Sequence, residues 1–248
     1  MANSRKVSWK ALLHEILQLS APGTCHSCKQ ILLAHQDSFC VECEKEFANH
    51  LTPRCSKCSI PVGPFLDTSE GCTLCNKERY SFRQIQALGS YSGLLREWVL
   101  ACKNHTSEIL AHSLGKKLGE RILGNNSDWC PDFVLPVPLH WWKRLWKGYS
   151  HAEAIAGGVS AALKVPMIRV ARKVFHTSEQ AGLSPSERRG NLRNVFGIQD
   201  STQVFGKRIL IVDDVLTTGA TCHELARKLK ASQVKEVFVA VLARSAKV

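Results

Sequence analysis

The chain has 248 residues, 44% of them hydrophobic, and a formal net charge of +12. That length holds one α/β domain of about 150 residues with a smaller appendage. No run reaches the roughly 18 apolar residues of a spanning helix, so any membrane contact would be peripheral.

The first element is a short amphipathic helix within residues 1–23, with Trp9, Leu12, Leu13, Ile16 and Leu17 on one face and Ala21, Pro22 and Gly23 stopping it. Arg5, Lys6 and Lys10 ahead of Ala11, Leu12 and Leu13 imitate a secretory signal, but His14 and Glu15 interrupt the apolar region. The expectation is a helix docked on its own protein in a cytoplasmic chain, with peripheral contact at the inner membrane as the alternative.

Eight of the eleven cysteines form four CxxC pairs: Cys25/Cys28, Cys40/Cys43, Cys55/Cys58 and Cys72/Cys75. Two cysteines on one tight turn aim both sulfurs at a single ion, and a second such knuckle completes the tetrahedral thiolate shell of Zn²⁺. The reading is two structural zinc ions, with 25/28 joined to 40/43 and 55/58 to 72/75. An interleaved set is the open alternative, and a redox role fits four pairs poorly. A closed four-sulfur shell leaves no position for water or substrate, so the metal would serve folding. Residues 24–80 hold few large apolar side chains, and structural zinc supplies roughly 10 to 16 kcal/mol of coupled binding and folding. Each thiolate site would carry about −2, which lowers the net charge to about +8. Cys102, Cys130 and Cys222 fall outside these pairs and read as small packing residues.

After a joint near residues 76–84, alternating helical and strand patterns over 82–248 predict a mostly parallel sheet covered by helices. Leu94, Leu95, Trp98, Ala101 and Cys102 recur at helical spacing, as do Leu110, Leu114, Leu118 and Ile122. Asp132 to Pro138 reads as a short buried strand, Ala152 to Leu163 as a helix and Phe238 to Leu242 as the final strand. Residues 132–196 hold ten Lys/Arg against four Asp/Glu, half of the formal charge excess, whereas residues 1–80 hold nine against eight. A polyanion surface in the later segment follows, if those charges share a face. Within it Lys143, Arg144 and Lys147 alternate with Trp141, Trp142, Trp146 and Tyr149, the mixture of cations and stacking surfaces that tracks a single strand. A core role for one or two of these tryptophans is the competing reading.

The segment IVDDVLTTGAT, residues 211–221, follows an apolar run from Ile209 and leads into a helix near Thr221. Gly219 lets successive N–H groups converge on one anion, Thr217, Thr218 and Thr221 add hydroxyls, and the helix N-terminus with Ala220 adds positive potential. Asp213 and Asp214, at the strand end, can accept from vicinal ribose hydroxyls, and they lie where a Mg²⁺ carrying pyrophosphate would be felt.

This segment resembles the 5-phosphoribosyl-1-pyrophosphate (PRPP) motif of type I phosphoribosyltransferases, and the four CxxC pairs resemble the double zinc ribbon of ComF proteins. YSGLLREWVLACKNH (91–105), VLPVPLHWWKRLWKGYSHAEAIA (134–156) and RKVFHTSEQAGLSPSERRGNLRNVF (172–196) fall in that family's order, with Arg172, Thr177, Gln180, Leu183, Arg188, Asn191 and Phe196 fitting its long central loop. Where the family shows Arg-Gly-Phe-Asn-Gln, this chain has Lys147, Gly148, Tyr149, Ser150 and His151. The resemblance implies an α/β fold: a small Cys-rich double zinc ribbon, then a phosphoribosyltransferase-like, Rossmann-like domain. It further implies Mg-PRPP or a related sugar phosphate as ligand, and single-stranded DNA handled in natural transformation. Arg172, Lys173, Arg188 and Arg189 would join the nucleic-acid surface or bind pyrophosphate. A transferase with an unnamed acceptor is one alternative, for which no catalytic base is identifiable in the sequence. A zinc-ribbon adaptor for a DNA-translocation or helicase partner is another.

Overall fold

The computed structural model describes residues 23–32, 38–49, 52–75, 80–104, 107–125, 128–139, 149–174 and 195–245. The expected N-terminal helix, ahead of Gly23, lies outside these residues. The chain forms two compact units, Met1–Leu51 and Thr52–Val248.

Among its described residues the first unit carries one knuckle and one helix. Cys25 N–H donates to Gln30 O at 2.7 Å and Lys29 N–H to Cys25 O at 2.9 Å, with Lys29 in the left-handed region at φ 64°. Cys40 and Cys43 sit at the start of helix α1 (Val41–Asn49), and Cys40 N–H points at Cys25 Sγ at 3.4 Å.

The second unit opens with the same knuckle. Cys55 N–H donates to Ile60 O and Ser59 N–H to Cys55 O, both at 2.9 Å, with Ser59 at φ 56°. Here the knuckle is built onto the α/β layer. Strand β1 (Ile85–Ser90) lies at the edge of a sheet whose order is β1, β6, β5, β2. Its outward N–H groups are taken by the knuckle: Ile85 N–H donates to Lys57 O at 3.0 Å and Ala87 N–H to Ser59 Oγ at 2.9 Å. Arg54 ties the two together, donating to Ser59 O at 2.7 Å and Ser90 Oγ at 2.8 Å. An edge strand covered in this way has few free backbone groups left to offer.

The remaining elements are α2 (Gly93–Ala101), α3 (Glu108–Asn125), β2 (Phe133–Pro136), α4 (His151–Leu163), β3 (Ala171–Lys173), β4 (Phe196–Ile198), β5 (Arg208–Leu216), α5 (Ala220–Ala231) and β6 (Glu236–Arg244). All pairings in the four-stranded sheet are parallel, and β3 and β4 make a separate antiparallel pair. The sheet is the mostly parallel, helix-covered one that the sequence predicts. β5 and β6 read as near-continuous apolar runs because both of their faces are covered. On one face Ile85, Ala87, Ile209, Ile211, Val237, Val239 and Val241 pack with Leu225 and Leu229 of α5 and with Cys55, Cys58, Cys72 and Cys75. Alternation places Leu210, Val212, Phe238 and Ala240 on the other face.

Helices α3 and α4 pack through glycine. A Cβ on Gly158 would lie 2.0 Å from His112 O, and one on Gly115 would lie 2.1 Å from Ile155 O. Leu110, Leu114, Leu118 and Ile122 are all buried, as their spacing predicts.

Two differences from the sequence reading concern the strands. β5 does not stop at Val212: Asp213 pairs with Val241, Val215 with Ala243 and Leu216 with Arg244, so both acids are carried on the strand itself. β6 likewise runs from Glu236 to Arg244, further in both directions than the apolar run from Phe238 to Leu242.

Candidate functional site

The sulfurs of Cys25, Cys28, Cys40 and Cys43 lie within 4.8 Å of one another, as do those of Cys55, Cys58, Cys72 and Cys75. The pairs therefore assemble in chain order. A tetrahedral zinc with bonds of about 2.3 Å places its sulfurs about 3.8 Å apart. The separations are 3.6 Å for Cys28–Cys40, 3.9 Å for Cys55–Cys75, 3.6 Å for Cys58–Cys72 and 3.8 Å for Cys72–Cys75. Both shells fit such an ion with all four corners filled. Burial pushes the Cys25 and Cys72 thiols up, but backbone N–H groups outweigh it and hold both at about 7. Each shell thus includes one sulfur already biased toward thiolate, the form that binds metal. Among the other cysteines, burial and the Asp214 carboxylate push Cys102 up to about 12, while burial with Asp213 and Asp214 raises Cys222.

The phosphate-loop candidates assemble at the carboxyl edge of the sheet, where ligands of open parallel sheets bind. Asp213 and Asp214 end the polar part of β5 and are half-buried. Asp214 N–H donates to Asp213 Oδ1 at 2.9 Å, and Val215 N–H donates to Asp214 Oδ1 at 2.6 Å. Gly219 turns the chain with φ 77° and caps α5. A Cβ there would lie 3.0 Å from Tyr80 Cε1, so both the backbone angle and the space demand glycine. Thr217 and Thr218 are exposed, Ala220 and Thr221 half-exposed in the first turn of the helix.

Two residues enter this site that the sequence did not single out. His151 Nε2 lies 3.3 Å and Lys103 Nζ 3.6 Å from Asp214 Oδ2. They give the two acids opposite characters. Loss of water around Asp213, together with the Asp214 charge, raises its carboxyl well above the ordinary range. Burial also works against Asp214, but the His151 hydrogen bond and the charges of His151 and Lys103 win and lower it. The departure from the family pattern at residues 147–151 was the available signal for His151. Lys103 stood in a quoted motif without any mark of its own.

Arg172 and Lys173, on β3, line a cavity of about 310 Å³ with Pro136, Pro138, Arg169 and Gln199. Tyr149 is half-buried at the wall of another cavity, of about 550 Å³, beside Glu108, His112 and Glu153. Its hydroxyl is enclosed without a hydrogen-bond partner among the described residues, and burial with Cys102 and Glu108 raises its pKa. The Glu153–Arg169 ion pair, 3.0 Å long, borders both cavities. Trp141, Trp142, Lys143, Arg144, Trp146, Lys147, Arg188 and Arg189 lie outside the described residues.

Residues 147–247 match the phosphoribosyl transferase domain family. Competence protein F of Haemophilus influenzae is 27% identical over 226 residues, 89% of this chain and 96% of that protein. DNA utilization protein YhgH of Salmonella typhi is 28% identical over 232 residues, covering 92% and 99%. Over about nine tenths of its length the chain is similar to these competence and DNA-utilization proteins. Among solved structures, a purine phosphoribosyltransferase from Pyrococcus horikoshii is 21% identical, with a TM-score of 0.36, covering 54% of this chain and 76% of its own. No described helix is long and apolar enough to cross a membrane.

Proposed function

We propose that this chain is a ComF protein that binds Mg-PRPP at the β5–α5 loop and handles incoming single-stranded DNA in the cytoplasm during natural transformation. The observation that carries the ligand reading is the order on one continuous β-loop-α unit: two acids, two exposed threonines, a left-handed glycine and a helix N-terminus. A sugar 5-phosphate would lie against the N–H groups of Thr218 to Thr221, and the ribose hydroxyls against Asp213 and Asp214. The competence and DNA-utilization names of the relatives, together with the basic character of residues 132–196, support the DNA reading.

The donor sets fit the metals this reading requires. The two four-sulfur shells would hold structural zinc. The paired carboxylates supply the oxygen donors that Mg²⁺ favours when it shares a site with phosphates, and Mg²⁺ would neutralise pyrophosphate there. The ordinary carboxylate character of Asp214 is kept by His151 and Lys103, so one acid stays ionised while its neighbour resists ionisation.

A second reading, transfer of the phosphoribosyl group to an acceptor with release of pyrophosphate, draws support from the cavity lined by Arg169, Arg172 and Lys173 at the same edge of the sheet. Its transition state would be oxocarbenium-like, stabilised by the fixed charges around the ribose.

The test is binding of a fluorescent single-stranded oligonucleotide by zinc-loaded protein across a salt series, with and without Mg-PRPP. A DNA handler loses affinity linearly in log salt, with a slope near −0.7 for each phosphate contacted. PRPP should alter that binding in wild type and leave an Asp213→Ala, Asp214→Ala double variant unaffected. PRPP binding with no DNA binding moves the conclusion to the transferase, and absence of both overturns the proposal.

A further inference from the structure

The loop between β5 and α5 has all of its carbonyls engaged from behind. Arg244 Nη1 donates to Leu216 O at 2.7 Å and also to Thr217 O. Ser245 N–H donates to Leu216 O at 3.0 Å. The Tyr80 hydroxyl donates to Thr218 O at 3.2 Å, and His223 N–H takes Gly219 O at 2.8 Å. A trans peptide holds its C=O and the following N–H on opposite sides. Carbonyls fixed on one side therefore commit the N–H groups of residues 217–219 to the other, where an anion would lie, while Ala220 N–H donates to Thr218 Oγ1 at 3.4 Å.

Arg244 is itself unusual in this place. It is only 2% exposed, on a strand filled with Val, Phe, Ala and Leu between Glu236 at its start and Arg244 at its end. No carboxylate pairs with it among the described residues, and its Nε is buried without a partner. Among the described residues only neutral carbonyls satisfy it, and a buried cation so held is costly unless a negative charge completes its surroundings. The group positioned to do so is an anion seated on the loop that Arg244 backs.

We infer that Arg244 is the positioning residue of the phosphate loop and that the bound phosphate is its missing counter-charge, with Tyr80 as the second clamp. The inference rests on the phosphate-loop reading above but not on PRPP as the particular ligand: any phosphomonoester on the loop meets the same cradle. It also gives Tyr80 a purpose, since this residue stands in the connection between the second cysteine knuckle and β1 and stacks on Phe82 with ring centroids 4.6 Å apart.

The experiment measures inorganic phosphate and ribose 5-phosphate binding by the full zinc-loaded chain, together with its ligand-free Tm and the amide NMR shift of Gly219. The variants are Tyr80→Phe, which removes one hydroxyl, Arg244→Lys, which keeps the charge, and Arg244→Met, which removes it. Phosphate affinity should fall in the order wild type, Arg244→Lys, Arg244→Met, with the last at least roughly tenfold weaker. Tyr80→Phe should weaken it roughly threefold at unchanged Tm, these steps being the scale of one hydrogen bond lost. The Gly219 amide should shift in each variant before ligand is added. A merely structural arginine would lower Tm and leave the affinity of the folded protein intact, with no partial rescue by lysine. If Tyr80→Phe and Arg244→Lys both bind phosphate as wild type does while wild type binds Mg-PRPP, the clamp is overturned and the functional reading stands. If wild type binds phosphate in the expected order but ignores Mg-PRPP, the clamp stands and the PRPP reading falls. Wild type that binds neither inorganic phosphate nor ribose 5-phosphate overturns the clamp, and if it ignores Mg-PRPP as well the functional reading falls too.

Discussion

His151 Nε2 lies 3.3 Å from Asp214 Oδ2, and that contact links helix α4 to strand β5 at the point where the two acids part in character. The histidine stands where the family shows glutamine. Glutamine there would keep a hydrogen bond to the carboxylate without a charge. Exchanging His151→Gln should raise the Asp214 pKa and narrow the difference between the two acids, which carboxylate-selective NMR titration would read directly.

Lys103 acts in the same direction from the other side of the site. The folded pKa of Asp214 is depressed, so its contribution to stability is present above the ordinary carboxylate value and is lost as pH falls through the folded one. Lys103→Met should therefore flatten the loss of Tm between about pH 5 and 3. Since the lysine side chain is 43% exposed, the effect at neutral pH should not exceed about 1 kcal/mol. An unchanged acid limb would show that the pair is screened to nothing.

Asp213 has the opposite sign. Its raised pKa means that the ionised form is disfavoured in the folded protein, a penalty complete above the folded pKa and absent below the ordinary one. Asp213→Asn should raise Tm at pH 7, and the advantage should shrink as pH is lowered toward 4. The same variant should lose sugar-phosphate binding. A gain in stability bought with lost ligand is the signature of a strained site.

Each cysteine cluster belongs to its own compact unit, and they should fail separately. Cys28→Ser should release one zinc per chain while the main unfolding transition barely moves. Cys58→Ser should release one zinc and lower that transition by several kcal/mol, because its knuckle is packed into the core of the sheet and holds the outer side of β1. Zinc content by mass spectrometry alongside calorimetry separates the two, and equal loss in both variants would contradict the division.

The contact between α3 and α4 leaves no room for a methyl group. Gly158→Ala must displace His112 O or the backbone around Gly115 and should cost at least about 1 to 3 kcal/mol, read as a lowered urea midpoint at unchanged slope. His151 rides on α4, so sugar-phosphate affinity should fall with it.

The parts of this molecule legible in the sequence are those whose chemistry is local. Four CxxC pairs state their purpose in four residues each, and the acids, threonines and glycine of the phosphate loop all fall within residues 213–221. What the sequence concealed was joined by tertiary contact. β3 and β4 are three residues each, and the partners Lys173 and Phe196 are far apart along the chain, so no periodicity marks them. β5 extends through Asp213 and Asp214 because β6 supplies backbone partners to residues whose side chains look like a strand end. Strand β1, IQALGS, is short and contains glycine, and it is defined by the knuckle along its outer side. Lys103, in the turn after α2, and His151, at the start of α4, meet Asp214 from different segments, a convergence that only the folded chain displays. Arg244 reads as a surface cation in a list of residues and becomes the least solvated charge of the site once β6 is placed inside the sheet.

The cover over β1 has a bearing on how the protein behaves when zinc is scarce. Lys57 O and Ser59 Oγ occupy the edge only while the second knuckle keeps its shape, and that shape depends on four sulfurs converging. A chain that has built its parallel sheet without metal presents the bare N–H groups of Ile85 and Ala87 to its surroundings, next to a strand whose neighbours are almost wholly apolar. Such an edge pairs readily with a second chain. Metal at this cluster thus guards against aggregation, and zinc-starved preparations should be lost to insoluble assemblies before they are lost to unfolding.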